Sequence, residues 1–134
     1  MTFEVESVLD AIPKATSKLF DFLADCAISE EEHFNLRLSF EESLINAIRH
    51  GNRLDPALKV KVQMTLTEAR LYVRIDDEGA GFDYQNLKDP TEEENLQAYS
   101  GRGVYLMKHL MDEVRYSRSG STVEMVKILD QQGQ

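Results

Sequence analysis

The chain has 134 residues, 42% of them hydrophobic, a composition that excludes a disordered tail and fits one domain with its own core. Its 24 acidic and 15 basic residues give a net charge of −9, which argues against a nucleic-acid partner because such partners need a basic face. One cysteine, Cys26, excludes an intramolecular disulfide and favours a reducing compartment. No apolar run reaches membrane-spanning length and no leader is recognisable, so we expect a cytoplasmic protein without a membrane partner.

A short strand and two helices are predicted in the first third of the chain. Residues 3–5 fit an edge strand, and Pro13 fits the first turn of a helix that runs to about Ile28. Ser29 then starts the segment Ser-Glu-Glu-Glu, where it would cap a second helix, with Glu32 completing a capping box.

The second helix is long and is predicted to end at Gly51. A residue in the left-handed conformation commonly closes a helix, and we expect glycine to serve this purpose here. We expect the helix to pack on a sheet through the apolar residues Phe34, Leu38, Ile45 and Ile48.

The hydrophobic period then changes from that of a helix to two. Leu58, Val60, Val62, Met64 and Leu66 alternate with polar residues, and after a short polar turn so do Leu71, Val73 and Ile75. This alternation predicts an antiparallel hairpin with one buried face.

The last third contains a long irregular segment, a helix and a second hairpin. Residues 82–100 have no clear period and lie between two glycine motifs, where we expect a lid. A helix over Val104–Met111 follows, and then two strands turning at residues 119–121, with an alternation that slips near Met125 and Val126. The order predicts an α+β fold in one domain, 1–134: a two-layer sandwich with helices on one face of a mostly antiparallel sheet.

Glu42 and Asn46 lie four residues apart and would stack on one face of the second helix. The carboxamide oxygen of Asn46 is a neutral, hard ligand suited to Mg²⁺, which proteins often hold through few groups plus substrate phosphates. Glu42 could accept a proton from an attacking hydroxyl or water. Taken alone, the pair also fits two ordinary exposed helix residues.

A first glycine motif, Asp77-Glu78-Gly79-Ala80-Gly81-Phe82-Asp83, follows the strand that ends at Ile75. A carboxylate at a strand end can accept a hydrogen bond from the exocyclic amine of adenine. Gly79 and Gly81 lack Cβ and would let the backbone approach the base closely. Taken alone, the motif also fits a plain Asp-x-Gly turn.

A second glycine motif, Gly101-Arg102-Gly103, opens the helix that begins near Val104. Backbone N–H groups at a helix N-terminus bind anions, and Arg102 could add a charge-assisted contact to a phosphate. The motif is neither a Walker A loop nor a Rossmann fingerprint, because it lacks the Gly-Lys-Ser/Thr sequence and does not follow a strand. A flexible entry into the helix is the alternative interpretation.

Together the three motifs resemble those of the GHKL (Bergerat-fold, histidine-kinase-like) ATPases over nearly the whole chain. Residues 42–51 resemble the N box, residues 77–83 the first glycine box and residues 101–107 the second. The stretch 103–114 is especially similar to the RsbW-type anti-sigma-factor serine kinases of this superfamily.

The resemblance implies roles for individual residues. Asn46 would coordinate Mg²⁺, Glu42 would be the catalytic base and Asp77 would bind adenine. Thr122 matches the late-strand Gly-Thr pair near the adenine, with Ser121 in place of the usual second glycine. The nucleotide-binding set implied in this way is Asn46, Arg49, His50, Asp77, Gly79, Gly81, Gly101, Arg102, Gly103, Val104 and Thr122.

The resemblance also implies a function. Proteins of this type are ATP- and Mg²⁺-dependent serine kinases and commonly homodimers. They phosphorylate a STAS-domain anti-anti-sigma protein and sequester a sigma factor, so phosphorylation decides which partner is held. The alternative is a nucleotide-gated binding or switch protein of the same fold, with little or no kinase activity or with a target other than a sigma factor.

Overall fold

A five-stranded antiparallel sheet organises the part of the chain that the computed structural model describes, residues 1–79, 107–117 and 120–129. Its strands are β1 (Thr2–Glu6), β2 (Lys59–Thr67), β3 (Arg70–Asp76), β4 (Glu113–Ser117) and β5 (Thr122–Ile128). They lie in the order β1-β2-β3-β5-β4, and each neighbouring pair is antiparallel. Both predicted hairpins and the edge position of the first strand are therefore confirmed.

Two α-helices connect β1 to β2. Helix α1 covers Ile12–Phe22 after a short 3₁₀ turn, and α2 covers Glu30–Ile45 and continues as a π-helical segment over Asn46–Gly51. The predicted capping box opens α2: Ser29 Oγ accepts the N–H of Glu32 (3.1 Å), and Glu32 Oε1 accepts the N–H of Ser29 (3.2 Å). The start of α2 is thus specified by residues three positions apart.

Helix α1 ends at Phe22, earlier than the predicted end near Ile28. Past this residue the backbone forms three-residue turns, with Ala24 N–H donating to Asp21 (3.2 Å) and Cys26 N–H donating to Leu23 (2.9 Å). Hydrogen bonds of this span tighten a chain that is leaving a helix. The apolar residues beyond Phe22 belong to the connection that leads into α2. Because their spacing continues that of the helix, periodicity alone predicted a helix that was too long.

The hydrophobic core lies between the helices and one face of the sheet. Alternate residues of β2 and β3 point into it, as the predicted period of two requires. The opposite face carries ion pairs, including Arg74–Asp76 (2.9 Å) and Arg115–Glu124 (3.3 Å). The largest core side chains include Leu19, Leu36, Phe40, Leu44, Ile48, Met64, Leu71, Ile75 and Met125. This arrangement confirms the two-layer α+β sandwich with helices on one face.

The buried face of α2 differs from the predicted one. Phe34 is 55% exposed, Leu38 and Ile45 are half-buried, and of the four predicted residues Ile48 alone is fully buried. The buried face instead follows Leu36, Ser39, Phe40, Ser43 and Leu44. A search for hydrophobic periodicity misses this face because it contains two serines. The Ser43 hydroxyl donates to the carbonyl of Ser39 (2.8 Å), so it can be buried with its hydrogen bond made inside the helix.

Gly51 does not adopt the left-handed conformation predicted for it. The positive φ angles after α2 belong to Arg53 (54°) and Leu54 (59°). The Leu54 N–H donates to the carbonyl of Ile48 (2.8 Å) and ends the helical segment there. The requirement for glycine at position 51 is therefore not a requirement for positive φ.

The pairing of β5 is continuous through the predicted slip. Met125 pairs with Val73, and Val126 pairs with Tyr72. Each residue of β5 faces one residue of β3 along the whole strand. Met125 belongs to the core, while Val126 lies on the opposite sheet face at 8% exposure. The alternation looks like a slip in the sequence because an apolar residue, Val126, is buried on the outer face of the sheet; the strand has no bulge there.

Residues 107–110 are helical and agree with the end of the predicted helix Val104–Met111, whose first residues lie outside the described part. The predicted lid, 82–100, also lies outside it. Within the described ranges, no helix combines the length and apolar character needed to cross a bilayer.

Candidate functional site

Asn46 stands at the junction between α2 and the π-helical segment. It is 7% exposed, and neither its carboxamide oxygen nor its nitrogen has a hydrogen-bond partner among the residues that the structure describes. A buried amide without partners costs free energy, so natural proteins keep one mainly where a ligand completes it. π-Helical turns are themselves frequent at functional sites.

Asp77 follows the last residue of β3 and is 6% exposed. Its N–H donates to the carbonyl of Ser121 (2.9 Å), and its Oδ1 accepts the N–H of Gly79 (2.8 Å). The first bond ties the residue to the turn before β5, and the second holds the carboxylate over its own loop. The side chain is therefore buried in a defined orientation at the strand end.

Asn46 and Asp77 line the same small cavity between the helix layer and the sheet. Its remaining walls are Ser43, Ala47, Ile75, Tyr116, Gly120, Ser121 and Val123. Burial raises the pKa of the Tyr116 phenol, which stays neutral in this wall. The Ser43 hydroxyl also contacts the sulfur of Met107, so the helix that follows the second glycine motif reaches the back of this wall. Two of the three predicted motifs thus converge here within the described residues.

Glu42 precedes Asn46 by one helical turn, and its carbonyl accepts the Asn46 N–H. Its side chain is half-buried and is not part of the cavity wall. The predicted catalytic carboxylate is thus adjacent to the predicted metal ligand along the helix and lies outside the pocket that contains Asp77.

Arg49 and His50 occupy the π-helical segment after Asn46. Arg49 is exposed and His50 is half-buried. Burial lowers the pKa of His50, and the nearby positive charge of Arg49 lowers it further. The imidazole is therefore predominantly neutral near pH 7, while Arg49 supplies the positive charge of this segment.

Gly51 and Gly79 bring the end of the π-helical segment against the loop after β3. A Cβ on Gly51 would overlap the carboxylate of Asp77, and a Cβ on Gly79 would overlap the backbone carbonyl of Gly51. Both positions need glycine because of close approach. Gly79 was predicted from its motif, whereas the role of Gly51 follows from the tertiary contact.

The hydroxyl of Thr122 donates to Asp76 Oδ1 (2.5 Å), and the residue is fully buried. The register of the β3–β5 pair places Asp76 opposite Thr122. The residues adjacent to them along the chain, Asp77 and Ser121, line the cavity. Ser121 was not predicted as a site residue. Its place directly after Gly120, at the turn before a strand, is the signal that could have identified it.

Asn52 is a second residue that sequence reasoning missed. It is 1% exposed, and its side chain hydrogen-bonds to three separate segments of the chain. No local pattern marks it. The predicted site residues that lie outside the described part of the chain are Gly81, Gly101, Arg102, Gly103 and Val104.

Comparisons with known proteins agree with the fold and with the family resemblance. The protein family described as histidine kinase-like ATPase domain matches residues 5–127. The serine-protein kinase RsbW of Bacillus subtilis (strain 168) is 36% identical over 107 residues, which cover 75% of this chain and 67% of that protein. RsbW of Listeria monocytogenes serovar 1/2a (strain ATCC BAA-679 / EGD-e) is 27% identical over 104 residues, covering 72% of this chain and 66% of that protein.

Among solved structures, the RsbU and RsbW domains of a Mycobacterium tuberculosis protein share the fold. The TM-score is 0.61 at 14% sequence identity, over 96% of this chain and 32% of that chain. The alignments with the RsbW relatives extend over about two thirds of those proteins. The match over residues 5–127, together with the 36% identity to an RsbW protein, confirms the resemblance: the chain belongs to the histidine kinase-like (GHKL) ATPase family.

Proposed function

We propose that this chain is an ATP-dependent protein serine kinase and anti-sigma factor of a bacterial partner-switching module. It would phosphorylate a serine of a STAS-domain anti-anti-sigma protein and sequester a sigma factor. The observation that carries the proposal is the buried carboxamide of Asn46, which has no hydrogen-bond partner among the described residues and lies in the same cavity as the carboxylate of Asp77. The relatives named serine-protein kinase support the type of reaction.

We assign the adenine end of a nucleotide to the Asp77 side of this cavity and the metal that accompanies its phosphates to the Asn46 side. Asp77 accepts a hydrogen bond from the exocyclic amine of adenine, which distinguishes it from a base that carries an oxygen there. The residues fit Mg²⁺ because the Asn46 oxygen is a hard, neutral ligand that lacks a partner among the described residues. Bound there, Mg²⁺ would neutralise phosphate charge.

Glu42 is proposed as the general base. The serine oxygen of the substrate protein forms a bond to the terminal phosphorus, the bond between that phosphorus and the bridging oxygen breaks, and ADP leaves. Glu42 accepts the serine proton. Its half-buried position one turn before Asn46 keeps the carboxylate accessible to a protein substrate while it stays beside the metal ligand. Such a base contributes roughly 10²–10⁴-fold to the rate.

The phosphate side of the site is assigned to residues around the second glycine motif. Gly101 and Gly103 would wrap the phosphates, with Arg102 adding charge and Val104 starting the helix. Arg49 and His50 extend the site from the end of α2, and Gly81 completes its adenine side. Thr122 would act there indirectly, through its hydrogen bond to Asp76, the residue before Asp77. Residues 82–100 would act as the lid of this single domain.

A phosphotransfer assay tests the proposal. The purified chain, Mg-ATP and a STAS-domain protein are mixed, and phosphoserine is measured by mass spectrometry. We expect transfer, and we expect Glu42→Gln to lower its rate by roughly 10²–10⁴-fold with unchanged ATP affinity in calorimetry. Glu31→Gln, at an exposed position of the same helix, is the matched control and should leave both quantities unchanged.

The alternative is a nucleotide-gated switch protein with negligible kinase activity or a non-sigma target. The position of Glu42 outside the cavity wall is the observation that favours it. Intact ATP binding without phosphoserine on any STAS partner would refute the kinase and support this alternative. A sigma-factor pull-down that ATP changes and Glu42→Gln does not change would support it further.

A cytoplasmic homodimer is the proposed assembly. β1 forms one edge of the sheet, and Val8 and Leu9 beside it are each 38% exposed. An edge strand next to exposed apolar residues suits contact with a second copy. Light scattering of the purified chain measures the mass: a dimer supports the proposal, and a monomer at micromolar concentration contradicts it.

A further inference from the structure

A buried polar cluster joins four separate segments directly behind Asp77. Its centre is Asn52, which is 1% exposed and follows Gly51 at the end of the π-helical segment. Asn52 Oδ1 accepts the N–H of Glu78 (2.8 Å), and Asn52 Nδ2 donates to Ser7 Oγ (2.9 Å) and to the carbonyl of Lys59 (3.1 Å). Three of the four hydrogen-bonding positions of the amide are therefore used: both N–H donors and one of the two lone pairs of the oxygen.

The partners of Asn52 are themselves connected. Ser7, with no exposed surface, donates its hydroxyl to the carbonyl of Leu58 (2.6 Å). The side chain of Glu78 accepts the N–H of Lys59 (2.6 Å), which closes a ring of hydrogen bonds through Asn52, Glu78 and Lys59. The start of β2 and the end of the β1 segment are thus fastened to the loop after β3.

Asp77 is held from both sides by this arrangement. Its own N–H donates to Ser121, and the next N–H along the chain, that of Glu78, donates to Asn52. The two peptide groups that flank the Asp77 side chain therefore have fixed partners on opposite sides. A shift of the Glu78 peptide would move the Asp77 carboxylate with it, because one backbone residue connects them.

On the basis of the nucleotide site proposed above, we propose that Asn52 is a positioning residue that sets the selectivity of Asp77 for adenine, with Ser7 as its support. Asparagine is required by the bonding pattern. Aspartate has no N–H to donate to Lys59, serine is too short to reach three segments, and alanine leaves the Glu78 N–H without its partner. Neither Asn52 nor Ser7 lines the cavity, so both act through Asp77.

The measurement is the ratio of ATP affinity to inosine triphosphate affinity, by calorimetry with magnesium present. Inosine triphosphate has an oxygen in place of the exocyclic amine, so the ratio reports the placement of the Asp77 carboxylate. Both affinities come from one protein preparation, so a partly unfolded fraction does not change their ratio. We expect Asn52→Ala to lower the ratio by about tenfold, as expected for loss of one hydrogen bond to a charged group.

Three further variants separate positioning from general stability. Ser7→Ala removes one support of Asn52 and should lower the ratio in the same direction by a smaller factor. Asn35→Ala, a half-buried asparagine of α2 far from Asp77 in sequence, is the matched control and should leave the ratio unchanged. In the Asp77→Ala background, Asn52→Ala should lower the ratio no further, because the residue through which it acts is gone.

The outcomes are distinguishable. An unmodified chain that binds no ATP, or does not prefer ATP, overturns the proposed function and this proposal with it. An unmodified chain that prefers ATP, with a ratio unmoved by Asn52→Ala, overturns the positioning role alone. If Asn52→Ala does not fold, Ser7→Ala decides: a lowered ratio supports the role and an unchanged ratio overturns it.

Discussion

The α-carbon of Gly51 lies against the carboxylate of Asp77, so that a Cβ at position 51 would overlap both the carboxyl carbon and its oxygens. Gly51 ends the π-helical segment and Asp77 follows β3. Gly79 repeats the relationship from the other side, with its α-carbon against the carbonyl of Gly51. Two glycines therefore set the distance between the helix that carries Asn46 and the loop that carries Asp77.

Gly51→Ala is expected to keep the fold and weaken nucleotide binding. The group that must move is a buried carboxylate that accepts the Gly79 N–H, so the free energy of unfolding should fall by about 1 kcal/mol, at the low end of the cost of overpacking. ATP affinity in calorimetry should fall about tenfold because the displaced carboxylate no longer meets the base. In the Asp77→Ala background the added methyl has nothing to displace and should have no effect on affinity; an equal loss there would contradict the explanation.

Gly79→Ala is expected to be the more destabilising of the two substitutions. Its methyl would overlap backbone atoms of Gly51, and backbone cannot move away as a side chain can. Overpacking of this kind costs about 1–3 kcal/mol, which urea denaturation measures directly. A urea midpoint equal to that of the unmodified chain would show that the two segments do not approach so closely.

Asn46→Ala and Asn52→Ala should have opposite consequences for stability. Asn46 buries an amide without described partners, so its removal should leave the free energy of unfolding unchanged or raise it by about 1 kcal/mol, while magnesium-dependent ATP binding is lost. Asn52 has three side-chain hydrogen bonds, so its removal should cost about 2–3 kcal/mol. Equal destabilisation by the two substitutions would argue that Asn46 is a structural residue and not a metal ligand.

Stability should fall on mild acidification because of His50. Its pKa in the folded chain is lowered by burial and by Arg49, so the unfolded chain takes up the proton first as the pH falls. The stabilisation is present above the unfolded pKa of about 6.5 and is lost as the pH falls through the lower folded value.

Urea midpoints between about pH 7.5 and 5.5 measure this dependence, a window above the titration of carboxylates. His50→Gln should flatten the profile, and Arg49→Gln should reduce its slope by removing the second cause. An unchanged slope in His50→Gln would assign the pH dependence to another group.

The features predicted correctly were those whose signals lie within a few residues. Ser29 and Glu32 form a capping box across three positions, and the alternation of β2 and β3 repeats every second residue. The structure also places Asn46 and Asp77 on one cavity, while their roles in nucleotide binding stay a prediction.

The prediction of the buried face of α2 was wrong because small polar residues, and not hydrophobic ones alone, form that face. Phe34 was expected in the core and is exposed, because Ser39 and Ser43 occupy the face that packs on the sheet. At the turn before β5, the role indicated for Thr122 stays a prediction; Ser121 lines the cavity, and the Thr122 hydroxyl donates to Asp76. Strand alternation assigns neighbouring residues to opposite faces, and which face meets the cavity depends on the register with β3.

The amino-acid sequence by itself determined the order of the elements, the caps, the hairpins and the chemical identity of the motif residues, since these follow from backbone preferences and side-chain periodicity over short distances. The requirements for glycine at position 51 and for asparagine at position 52 come from the tertiary structure alone. Gly51 touches Asp77, and Asn52 joins Ser7, Lys59 and Glu78. Contacts between residues so far apart along the chain have no local pattern, because they exist only once the sheet and helices have packed.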